Sequence, residues 1–75
     1  MKHTIYFYIR KGESHFYAEC IDLPIVTQGL TLDELAHNIQ EAVELHLDGE
    51  DMEELGFVPN PSIMANIELN MPVYA

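Results

Sequence analysis

Two runs of β-branched and aromatic residues, His3 to Lys11 and Ser14 to Ile21, flank Gly12-Glu13, and this arrangement constrains the fold more than any other feature of the chain. Such runs around a tight dipeptide led by glycine predict a β-hairpin closed by a type II′ turn. With that turn, Ile9 faces Phe16, Phe7 faces Ala18 and Ile5 faces Cys20 on the core side. The other side carries Arg10 beside His15, Tyr8 beside Tyr17 and Tyr6 beside Glu19. One helix covers only one side of so small a sheet. Tyr6, Tyr8 and Tyr17 are therefore the expected oligomer interface, because exposed clustered tyrosines favour protein contact.

Asp22-Leu23-Pro24 reads as a corner, and Ile25 to Gln28 as a short third strand ended by Gly29. Thr31 and Glu34 have the spacing of a capping box, in which each side chain satisfies an unpaired amide of the first turn, so a helix begins at Leu32. Leu32, Leu35, Ala36, Ile39, Ala42, Val43 and Leu47 form its apolar stripe, and Asp33, His37, Glu41, Glu44 and Asp48 its outer face. Gly49 ends or weakens the helix. Glu50 to Leu55 can form a short helical turn before Gly56, Pro59 and Pro61 break the chain. Alternation from Ile67 to Val73 predicts a last strand, with Pro72 suited to an edge or strand end.

These elements give an α+β fold of β-β-β-α-β order, a small antiparallel sheet of three to four strands packed on one main helix, in a single domain spanning residues 1–75. Seventy-five residues bury a thin core, so a partner or a second copy would help the chain. Apolar residues make up 48%, too many for a disordered acidic tail. Thirteen acidic against three basic residues give a net charge of −10, which disfavours direct binding of nucleic acid and favours a basic protein partner. Nine of the acids fall between Asp33 and Glu54 with no Lys or Arg among them. Such a run is commonly a solvated helix face. Here, with no cation to relieve the repulsion, Glu41, Glu44 and Asp48 are the expected partner-binding residues.

Little else suggests chemistry. His3, His15, His37 and His46 lack metal-ligand spacing, Cys20 has core parity, and no nucleophile motif or phosphate loop is present. No catalytic, cofactor or metal site is expected. The lone cysteine and the absence of a signal peptide or membrane span make a cytoplasmic setting the expectation.

Tyr17-Ala18, Asp22-Leu23-Pro24, Gly29, Thr31, Glu34 and Asn38-Ile39-x-Glu41-Ala42 together resemble the HicB family of antitoxins over residues 3 to 48. The resemblance implies a partial ribonuclease H-like fold and a non-enzymatic antitoxin. Its partner would be a small basic HicA-like toxin that cleaves messenger RNA. The chain departs from the family pattern at Ile25, Leu30 and Leu35, where glycine, an acidic residue and alanine are common. Many members also continue into a DNA-binding domain, and none is expected within these 75 residues, so operator binding is not carried over. Nuclease activity is not expected either, since Glu19 and Glu68 are the only acids in the predicted strands and two-metal chemistry needs several converging carboxylates. The alternative reading is a stand-alone homo-oligomeric adaptor without a toxin partner.

Overall fold

The computed structural model describes residues 1–69. Strands β1 (Lys2–Lys11), β2 (Phe16–Cys20) and β3 (Val26–Gly29) precede helix α1 (Leu32–Leu47) and strand β4 (Phe57–Ile67). They form one four-stranded sheet in the order β3-β2-β1-β4, so the α+β class and the β-β-β-α-β order are as the periodicity implies. β1, β2 and β3 are antiparallel, whereas β4 lies parallel to β1, making the sheet mixed. Parity explains this. The chain reverses after β1, β2, β3 and α1, so β4 runs in the same direction as β1 and β3.

The hairpin forms in a register two residues away from the expected one. Phe7 faces Cys20, Ile9 faces Ala18 and Lys11 faces Phe16. The Gly12 amide donates to the His15 carbonyl at 2.8 Å, which leaves Glu13 and Ser14 as the turn. Neither Glu13 nor Ser14 takes a positive φ, so the turn is not type II′, and Gly12 stands before it instead of inside it. Its lack of a side chain matters for space instead, since a Cβ there would lie 2.6 Å from the Tyr17 ring. A slip of two residues preserves which face each side chain occupies, so the core assignment survives while the cross-strand neighbours change.

β3 begins one residue later than expected. Pro24 sits in a three-residue turn, the Ile25 amide donating to the Leu23 carbonyl at 2.8 Å, and Ile25 is buried. In α1, Thr31 caps the first turn, its hydroxyl accepting from the Glu34 amide at 3.1 Å. The return bond of the capping box is not formed. At the other end Asp48 has φ −60° and ψ 122°, Gly49 has φ 77°, and the Glu50 amide donates to the Leu47 carbonyl at 3.0 Å. That is a type II turn, and glycine supplies its left-handed position. Asp51 then organises a single helical turn by accepting from the Glu53 and Glu54 amides, and Gly56 (φ 86°) ends it.

The last strand is where the sequence expectation fails. β4 starts at Phe57, ten residues before Ile67, and includes Pro59 and Pro61; Glu68 and Leu69 are outside any strand, and the rest of the expected segment lies outside the described residues. Lys2 pairs with Phe57 but Thr4 with Ser62, so a bulge accommodates both prolines. An edge strand tolerates them because the ladder does not need their missing amides.

The core lies between the sheet and α1: Ile5, Phe7 and Ile9 from β1, Ala18 and Cys20 from β2, Ile25 from the turn before β3, Leu35, Ile39 and Val43 from the helix, and Phe57 from β4. Burying a large apolar side chain contributes roughly 1.5 to 3 kcal/mol relative to exposure, and Phe7 and Phe57 are the largest fully buried residues here. Lys2 ties β1 to the corner before β3 through Asp22 (Nζ to Oδ1, 2.9 Å).

Candidate functional site

The face of the sheet away from α1 presents Tyr6, Tyr8 and Tyr17, which are 40%, 47% and 41% exposed. Strand alternation puts them there, since Ile5, Phe7, Ile9 and Ala18 take the core positions between them. With the observed register Tyr8 faces Glu19 and Tyr17 faces Arg10, so charged groups separate the rings. On the other side of β1, Tyr6 faces Met64 and Tyr8 faces Asn66 of β4, which extend this face. His15 lies beside Tyr17 with ring centroids 6.2 Å apart, and Ser14 Oγ is 2.8 Å from His15 Nδ1.

Glu41, Glu44 and Asp48 are all exposed, but they do not form one flat patch. Glu41 approaches His37 one helical turn earlier at 3.5 Å, an exposed pair of little energetic weight. Glu44 borders a cleft between the end of α1 and the β4 bulge, where Val43, Leu47, Met52 and Pro61 also lie. Asp48 belongs to the turn after the helix. The tyrosine face and the acidic helix face occupy opposite sides of the sheet, so the structure does not bring the two residue sets together.

The junction between β3 and α1 explains several of the residues on which the family resemblance rests. A Cβ on Gly29 would lie 2.6 Å from the Leu35 amide nitrogen, so only glycine lets the strand end pass so close to the helix. The Asn38 side-chain amide donates to the Gln28 carbonyl at 2.8 Å, and Thr31 caps the helix between them. Gly29, Thr31 and Asn38 therefore hold the fold together, and their presence argues for architecture before function.

Sequence reasoning did not anticipate a third surface. α1 lies over β2 and β3 rather than β4, leaving an apolar groove lined by Leu32, Ala36, Ile39, Ile63, Ala65 and Ile67. Leu32 and Ala36 belong to the expected apolar stripe, yet both remain exposed along this groove. The available signal was the uncharged run from Leu55 to Ile67, which the two prolines disguised.

Cys20 is a buried free thiol, packed as a small apolar residue. Among the described residues no three His, Cys, Asp or Glu side chains converge on a metal-sized site. No helix among them is long and apolar enough to cross a membrane. No protein-family model, curated protein or solved structure matches this chain.

Proposed function

We propose that this chain is a HicB-like antitoxin of a type II toxin-antitoxin system, a cytoplasmic non-enzymatic protein that binds and neutralises a small basic HicA-like toxin. The observation that carries this reading is the uncompensated acidity of α1 and the turns after it, where nine carboxylates between Asp33 and Glu54 face solvent without a neighbouring Lys or Arg. Exposed like charges attract a basic surface over long distances and speed encounter. A toxin that binds RNA has such a surface, built to accept phosphates, and carboxylates can occupy the same donors. The element order supports the reading too, being the one the resemblance implies.

The test mixes the purified chain with a HicA-like ribonuclease and follows messenger RNA cleavage. Stoichiometric loss of cleavage is expected, and undiminished cleavage with excess chain present would refute the proposal. Replacing Glu41, Glu44 and Asp48 together with Gln should slow association about tenfold at low salt and flatten its salt dependence, with a smaller effect on dissociation. The homo-oligomeric adaptor reading is favoured by one observation of its own, the open groove beside an uncharged edge strand.

A further inference from the structure

We infer that the free edge of β4 is the contact surface for a second copy of this chain, the two β4 strands pairing antiparallel about a two-fold axis perpendicular to the sheet. The inference does not depend on the toxin-binding reading. It begins from how edges are usually protected: short strands, charged side chains, bulges or a covering element keep an unpaired ladder from joining another chain.

β4 carries no Lys, Arg, Asp or Glu in its 11 residues, although the chain as a whole has a net charge of −10. Its guards are Pro59, Pro61 and the bulge that holds them, and all of these end before Ser62. From Ser62 to Ile67 the strand is continuously paired with β1, and among the described residues nothing pairs with its outer side. Ile63 and Met64 are 37% and 50% exposed there, one on each face of the sheet.

Charge decides in favour of a second copy. Two molecules of this net charge repel, and they can approach most easily where both surfaces are neutral. The run from Leu55 to Ile67 is the longest uncharged stretch between its acids. A basic protein, by contrast, has nothing to read on β4 and is drawn to the acidic side. The other uncharged edge, β3, has only four residues.

The symmetry sets the register. An axis perpendicular to the sheet leaves both helices on the same side, so facing residues must share a face and their numbers sum to an even value. Centring on Met64 or on Ala65 satisfies this over Ser62 to Ile67. In either register Ile63 comes opposite Ala65 or Ile67, and the two α1/β4 grooves merge into one apolar trough. Glu68, the first charge after the strand, comes opposite Asn60 or Ser62, so no acid meets an acid.

The test is sedimentation of the full chain at micromolar concentration, with amide hydrogen exchange followed across the same dilution series. A dimer is expected, with those amides between Ser62 and Ile67 that point away from β1 protected when it is populated and exchanging faster on dilution. Ala65 is exposed, so Ala65→Glu should fold normally while weakening the dimer about tenfold or more, because the two added carboxylates then face one another if the axis passes through Ala65, or each is set against Ile63 of the other copy in the shared apolar trough if it passes through Met64. Tyr8→Glu, on the opposite face, should change the dissociation constant less than about twofold on the same scale. A monomer throughout, a dimer broken by Tyr8→Glu but not by Ala65→Glu, or a monomer whose β4 amides are already protected by its own terminal residues would each overturn the inference.

Discussion

The two edges of this sheet are built on different terms. β3 has four residues, its Gln28 carbonyl is occupied by Asn38, and α1 packs directly against it. β4 has 11 residues, no charge and a helix that stops short of it. One end of the molecule is finished within the chain, while the other leaves a ladder and a groove open among the described residues. Protection of a sheet edge is thus a local property, decided by where the helix falls and not by overall charge. A strongly acidic protein can still hold a neutral, pairing-competent strand.

The largest expected effect would break this comparison at the start of β4. Phe57 is 1% exposed and anchors the strand to the core beside Lys2. Phe57→Ala should destabilise the protein by about 3 to 5 kcal/mol, read from urea unfolding. Amide exchange should show β4 loosening first; equal loosening of β3 would mean that the two edges are not independently secured.

A smaller loss is expected at the opposite edge. Gly29→Ala would place a methyl group 2.6 Å from the Leu35 nitrogen and 2.9 Å from its Cα, so strand and helix must move apart. A cost of about 1 to 3 kcal/mol follows for overpacking against backbone, and thermal or urea denaturation checks it. A neutral result would show that the β3-α1 approach is not set by this glycine.

The smallest effect sharpens the comparison. Asn38→Ala removes the bond to Gln28 at a cost of about 0.5 to 1.5 kcal/mol, partly offset by alanine's higher helix propensity. Calorimetry measures the loss. Faster exchange confined to β3 and the first turns of α1 is the expected signature, with β4 unaffected.

The first three strands and the helix were legible in the sequence because each has a local signal: alternation in β1 and β2, a proline corner before β3, and a threonine cap with an apolar stripe for α1. The acidic face was equally visible, since charge needs no fold to be counted. The hairpin register was not. Gly12 resembles a turn residue, yet its place is set by the nearby Tyr17 ring, a contact between strands that local pattern does not record. The true β4 was hidden for a related reason. Its prolines read as breakers to any rule that does not know the strand lies at an edge, and its core side is only partly covered, so its apolar residues do not alternate cleanly.

By itself the sequence determined the class of fold, the order of elements, which side chains of β1, β2 and α1 point inward, and the electrostatic character of the helix. These depend on periodicity and composition, which are properties of neighbours along the chain. Only the tertiary structure decided the parallel placement of β4, the separation of the tyrosine face from the acidic one, and the groove beside the open edge. Those depend on which strand ends up next to which and on how far one helix of 16 residues can reach across four strands. A helix has a width of about 10 Å and strands lie about 4.8 Å apart, so one helix covers roughly two strands and leaves the rest of the face exposed.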